Sequence, residues 1–205
     1  MAIVIEADTC AAVWEKSISY LLKHGEYVPS IHGPVLECSN TALSIINPWN
    51  EPRISPLSPL FSKAESFGSS LRNHPRIANW DGIDQIDYVI QTLRDDPLSR
   101  RAVVSVWNPP QDRLLENAQG VISLIFLIRG DRLHLTSIFR TTDAWMCNWT
   151  LTGVPELQRI VYNKLHELTI FRNLGLGTYT QFHSSFHMYL DDVKNAEIKL
   201  GVFTR

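Results

Sequence analysis

Cysteine is scarce in this chain, with Cys10, Cys38 and Cys147 the only three. Their odd number and wide spacing give neither a disulfide framework nor a metal-ligand pattern, so reduced thiols in a cytoplasm are expected. Long apolar runs are also missing. Those present, such as Val121 to Ile128, have strand length and fall far short of a membrane span. Neither sign of charge is in excess: 19 Lys+Arg against 21 Asp+Glu leave a formal net charge of -2 at pH 7. That balance argues against bulk attraction to nucleic acid or to an anionic membrane, so any anion must be held locally by a few positioned arginines. Met1 to Glu6 carries an acidic residue and no basic one before its apolar stretch, so no signal peptide is expected. No repeat, low-complexity tract or linker divides the chain. Its 205 residues can bury a sizeable core as one domain, 1–205.

What is present reads as alternating helices and strands. Ala2 to Glu6 suits a short strand, and Asp8 or Thr9 can cap a helix that ends at Gly25. Glu26 to Pro34 is turn-rich, Val35 to Ile46 holds strand-like pieces, and the prolines of 47–59 mark a surface connection or binding loop. A short helix is expected over Phe61 to Arg72, and a longer one from a cap at Asp81 through Leu93, stopped by Pro97. Ala102 to Trp107 reads as a strand, and Val121 to Arg129 as one buried on both sides. The Gly130-Asp131 pair turns it into a returning strand, Leu133 to Phe139. Pro155 suits the first turn of a helix to about Leu168. Gly175 and Gly177 mark a loop, Tyr179 to Phe186 a strand, and Met188 to Ala196 a helical or turn-rich end. The class expected is α+β, with helices packed on one mixed or antiparallel sheet.

Several side chains could carry chemistry. Ser99, Arg100 and Arg101 form a candidate anion site, because guanidinium forks match phosphate oxygens bidentately. Pairing of those arginines with Asp95 and Asp96 is the plainer alternative. Arg140 ends an apolar strand and needs a partner, which could be a ligand phosphate or Asp143. With Arg100 and Arg101 it could make three cations around one phosphate. Asp143, followed by Trp145 and Trp149, suits a flat heterocycle with N–H donors, although core aromatics beside a helix cap explain the same residues. His183 and His187 stand four apart without a third ligand, so zinc is not expected. His187 with Tyr189 can hydrogen-bond a sugar or a ring, or can simply be structural.

The order of these pieces resembles the thymidylate synthase family. Asp81-Gly82-Ile83-Asp84-Gln85-Ile86, the run from Asp96-Pro97-Leu98-Ser99-Arg100-Arg101 to Trp107-Asn108-Pro109, Arg140-Thr141-Thr142-Asp143 after the hairpin, and His187-Met188-Tyr189 carry the resemblance. It covers about residues 77 to 192. The earlier part, with Leu43-Ser44-Ile45, is similar more loosely, nearer the shorter archaeal members and the nucleotide hydroxymethylases. The resemblance implies a sheet-to-sheet homodimer that binds a small, phosphorylated substrate. It also implies 5,10-methylenetetrahydrofolate as cofactor. Arg100 and Arg101 would reach the neighbouring subunit's phosphate, Arg140 and Thr141 that of their own. Asp143 would hold the pterin, Trp80 would line the folate pocket, and His187 and Tyr189 would bond the sugar. Glu65 would match the glutamate that relays protons through water.

The chain departs from that pattern in four places. The nucleophilic cysteine's position falls on Gly120, which cannot add to a pyrimidine carbon. The asparagine that reads the pyrimidine edge falls on Leu151, with Asn148 near but displaced. The early phosphate arginine falls on Glu37, and the chain stops at Arg205 without the long closing segment of larger members. Cys147 could replace the lost nucleophile. Alternatively the substrate ring is a different one that activates itself, leaving the protein to position it and move protons. The expected activity is therefore folate-dependent methyl or hydroxymethyl transfer to a ring other than dUMP, of the kind met in specialised metabolism. A folate-free nucleotide-processing hydrolase, with Glu65 or Asp143 activating water, and a non-catalytic nucleotide-binding homologue are the alternatives.

Overall fold

The computed structural model describes residues 2–60 and 71–204. In chain order the first half carries β1 (Ile3–Ala7), α1 (Cys10–His24), β2 (Glu26–Val28), β3 (Val35–Ile45), α2 (Pro75–Ala78), α3 (Gln85–Asp95) and β4 (Val103–Ser105). The second half carries α4 (Pro109–Asp112), β5 (Val121–Arg129), β6 (Arg132–Asp143), α5 (Asn148–His166), β7 (Gly175–Tyr189) and α6 (Leu190–Leu200). The seven strands form one mixed sheet in the order β1-β3-β7-β6-β5-β4, with β2 sharing the β1 edge of β3. β7 and β6 run parallel at its centre, and β3–β7, β6–β5 and β5–β4 are antiparallel. This is the expected α+β class.

Period-two alternation decides which face is covered. Leu133, Leu135, Ser137 and Phe139 of β6 and Tyr179, Gln181 and His183 of β7 are buried, while Thr136, Ile138, Thr180 and Phe182 between them stay half-buried. Helix α1 packs on β1 and β3, α5 on β6 and β7, and α6 on β7 and β3. β5 is buried on one side only, through Leu124, Phe126 and Ile128, and not on both as its run of apolar residues suggested. Near the cavity the phase changes. The buried positions become Thr142 on β6 and Phe186 and Met188 on β7, yet the two strands keep their pairing from Phe139↔His183 to Asp143↔His187. Asn40 in β3, with φ 53°, stands beside the same step.

Local chemistry moves several element boundaries. Asp81 and Gly82 both have positive φ and close a tight turn in which Trp80 and Ile83 exchange backbone hydrogen bonds. The helix cap is instead Asp84, whose carboxylate accepts the Ile86 and Asp87 N–H groups. Gly130 and Asp131 have φ of 54° and 56°, as a type I′ hairpin turn requires. Helix α5 begins seven residues before Pro155, so this proline lies inside the helix. Proline cannot donate to the Leu151 carbonyl one turn back. The Cys10 thiol donates to it instead, at 3.2 Å. β7 starts at Gly175, so Gly177 belongs to a strand. A Cβ there would sit 2.7 Å from the His134 ring. Of the helix expected over Phe61 to Arg72, residues 61–70 lie outside the described residues. No helix among the described residues is long and apolar enough to cross a membrane.

Candidate active site

Where β5 begins, Gly120 meets β6. Its carbonyl accepts the Arg140 N–H at 2.9 Å. A Cβ on Gly120 would stand 2.9 Å from the Thr141 carbonyl oxygen, a backbone atom. The strand pairing therefore leaves no space for any side chain at this position. Beside it opens a cavity of about 280 Å³. Val106, Leu124, Phe139 and Val154 make its apolar wall, and Gly120, Thr141, Asp143, Cys147, Trp149 and Thr150 also line it.

Asp143 ends β6 and turns the chain, accepting the Trp145 N–H at 3.0 Å. Burial, reinforced by the nearby Asp192 carboxylate, pushes its carboxyl above the ordinary range against the opposing pull of the Trp145 N–H. Asp143 thus joins an apolar wall to a strong hydrogen-bonding group, a setting suited to a ring with N–H donors. Cys147 shares the cavity but is buried, and desolvation pushes its thiol well above the ordinary 9.0. A thiol in that state is a poor nucleophile at neutral pH. Leu151 is buried in α5, and Asn148 is buried with both amide atoms unbonded among the described residues.

His187 sits on β7 beside this site. Its Nδ1 lies 3.2 Å from Thr141 Oγ1 and 3.3 Å from Ser185 Oγ, and Tyr189 meets its ring edge-on at 5.5 Å. Burial lowers the His187 pKa while Glu37 opposes the shift. The other histidine, His183, is a buried partner of Thr142 at 2.9 Å, stacked on Phe139, and desolvation drops its pKa to about 3. Of the residues expected here, Thr141, Asp143, Cys147 and His187 come together, with Tyr189 against the His187 ring.

The remaining ones do not. Arg140 donates to the carbonyls of Gln119 at 3.0 Å and Ala118 at 2.6 Å and lies over the Trp107 ring, so Asp143 is not its partner. Arg100 and Arg101 are exposed and make no ion pair among the described residues; Asp95 is taken by Arg94. The Ala102 carbonyl accepts the Phe126 N–H, six residues along β5 from Gly120. At strand rise that separates the two arginines from Gly120 by on the order of 20 Å. Within one chain the three cations cannot share a phosphate. Trp80 is half-buried in its turn and is absent from the cavity wall. Glu65 lies outside the described residues. Sequence reasoning missed Gln119, Met146 and Thr150, which flank residues it did select and line the same cavity.

The sequence pattern of thymidylate synthase matches residues 42–202. A protein of Methanosarcina barkeri named "Putative thymidylate synthase" is 29% identical, across 92% of this chain and 90% of its own length. One of the same name from Methanocaldococcus jannaschii is 30% identical, across 91% and 90%. The "Thymidylate synthase" of Bacillus atrophaeus is 25% identical over 66% of this chain and 57% of its own.

Proposed function

The chain belongs to the thymidylate synthase family, and from that membership we propose that it transfers a one-carbon unit, methyl or hydroxymethyl, to a ring that needs no thiol addition. The observation that carries this reading is the closed backbone at Gly120 beside a retained cavity with Asp143 in its wall. An enol- or enamine-like ring carbon is already nucleophilic, so positioning and proton transfer would suffice. The buried Cys147 thiol favours such a ring over a replacement nucleophile. dUMP is not such a ring.

5,10-methylenetetrahydrofolate would supply the one-carbon unit. The apolar wall and the half-buried Asp143 carboxyl fit a flat ring system with N–H donors. Asp143 would orient that ring, His187 and Tyr189 would bond the acceptor, and Glu65 would relay protons. Trp80 would touch the cofactor only outside the cavity. We further propose a cytoplasmic homodimer in which a second copy covers the open face of the sheet. Arg100 and Arg101 would then act across the interface, not in their own chain's cavity.

Isothermal titration with tetrahydrofolate tests the reading. Heat of binding is expected for the wild type and should vanish for Asp143→Ala. No heat with any reduced folate would sink it.

A further inference from the structure

Two threonines of the cavity wall, Thr142 near the end of β6 and Thr150 in the first turn of α5, are each held from behind by a sealed polar side chain. The Thr142 hydroxyl lies 2.9 Å from His183 Nδ1. The Thr150 hydroxyl lies 2.9 Å from the Cys147 carbonyl oxygen and 3.4 Å from Gln181 Oε1. His183 and Gln181 are wholly buried and stand two residues apart on β7, so they share one side of the strand. Behind Gln181 the bonds continue. Its Nε2 donates to the Tyr179 hydroxyl at 2.7 Å, and that hydroxyl lies 2.9 Å from Ser137 Oγ. Tyr179 and Ser137 are wholly buried as well.

Packing alone does not call for these groups. Leu133, Leu135 and Phe139 cover the same face of the sheet with apolar atoms. A buried polar group costs stability unless it is bonded, and what a bonded network gives in return is a fixed geometry. At His183 part of that cost is left standing: Nε2 is sealed without a hydrogen-bond partner among the described residues. Burial keeps the ring neutral, with one donor and one acceptor nitrogen, and Thr142 engages only one of them. What His183 and Gln181 each fix in place is a hydroxyl, and both hydroxyls belong to the cavity wall. At strand rise the two side chains stand on the order of 7 Å apart, close to the width of one substituted six-membered ring. The rest of the wall is mainly apolar, and no Lys, Arg or His lines it among the described residues. A cavity of about 280 Å³ without a cation suits one small uncharged ring.

We infer that Thr142 and Thr150 are the specificity-determining residues of this cavity and read polar groups on two edges of one uncharged ring, a hydroxylated arene or a neutral heterocycle, with His183 and Gln181 as the positioning residues behind them. The inference rests on the proposal that the cavity receives the one-carbon acceptor. It narrows that acceptor to a ring that is polar at both edges. The Thr150 proton is directed at the Cys147 carbonyl, so the Thr150 oxygen accepts a hydrogen bond from the ring. Thr142 donates or accepts according to the tautomer of His183.

Three rings of nearly equal shape test this: p-xylene, 4-methylphenol and hydroquinone, which carry no hydroxyl, one, and one at each of two opposite edges. Their binding to the full chain, under reducing conditions and without folate, can be followed through the methyl signals of Val106 and Val154, which line the cavity. Hydroquinone is expected to bind at least about tenfold more tightly than p-xylene, with 4-methylphenol between them. Thr142→Val and Thr150→Val each remove a hydroxyl at nearly constant size and should cut the hydroquinone advantage several-fold. Thr142→Ser and Thr150→Ser should keep it. Gln181→Met, which retains length but not the amide, should reduce the advantage while p-xylene binds as before. An equal loss for all three rings in that variant would overturn the positioning role of Gln181. Equal wild-type affinity for the three rings, an undiminished preference in both valine variants, or no response to any ring overturns the inference as a whole. The folate titration is a separate measurement. Its failure with the hydroquinone preference intact would remove the one-carbon reading and leave the cavity's specificity standing.

Discussion

Gly120 is closed by its neighbour's backbone, so restoring a thiol there takes more than a codon change. A Cβ at 2.9 Å from the Thr141 carbonyl must displace β5 or β6. Gly120→Cys should therefore destabilise by about 1–3 kcal/mol, as overpacked sites do, lowering Tm by several degrees at this chain length. It should also give no covalent adduct with a pyrimidine nucleotide by intact-mass measurement. A stable variant that forms the adduct would show that the position is merely unoccupied. Asp143 makes a prediction of opposite sign. Its folded-state pKa is raised, so the fold favours the protonated form. The contribution is fully present below the unfolded value of 3.8 and is lost as pH rises through the folded pKa. Asp143→Asn, which cannot ionise, should raise Tm at pH 7, and the gain should disappear below pH 3.8. Thermal melts across that range check the sign, and the same variant should bind tetrahydrofolate more weakly.

At the scale of elements, α5 shows how a local rule gives way to a distant contact. A proline inside a helix ordinarily leaves the carbonyl four residues back without its donor. Here the Leu151 carbonyl receives the Cys10 thiol from the first turn of α1. Desolvation pushes that thiol to about 12, which keeps it protonated and able to donate. Cys10→Ala should cost about 1–3 kcal/mol, the penalty of a buried acceptor left unbonded. Denaturant melts would read it, and an unchanged midpoint would mean that the thiol bond is incidental. This contact explains why the start of α5 was not legible in the sequence: nothing near Pro155 announces Cys10. By contrast, β5, its turn and β6 were legible because an apolar run of strand length and a Gly-Asp pair are signals within a few residues, although the run misled about burial on both sides of β5. Asp81 misled because two acidic caps stand close together and only backbone geometry chooses Asp84. Of the cavity's lining, Gly120, Thr141, Asp143 and Cys147 were legible in the sequence. The Ser185–Glu37 hydrogen bond beside it was not, since the two residues are 148 positions apart and meet only through strand register.

For the whole molecule, the question is what covers the second face of the sheet. The helices protect the face bearing Leu135, Phe139 and Tyr179. On the other face Ile138 and Phe182 are register partners, Ile138 also pairs with Ser123, and Ile125 stands in the next row beside Thr136. All are only half-buried in the single chain. A sheet face meant for water alternates toward polar and charged residues, whereas this one offers isoleucine, phenylalanine and threonine at its centre. A second copy laid on it would bury both faces and form a central apolar patch of the kind that dominates stable interfaces. Phe182→Asp would place a carboxylate in that patch without a partner. Sedimentation at micromolar concentration should show a dimer for the wild type and weaken it by on the order of 30-fold in the variant, about 2 kcal/mol. The helix-side core should be untouched, so the variant's secondary structure by circular dichroism should match the wild type. A wild-type monomer, or a variant dimer of equal strength, would mean that this face is covered by something other than a second copy and that Arg100 and Arg101 have no interface to cross.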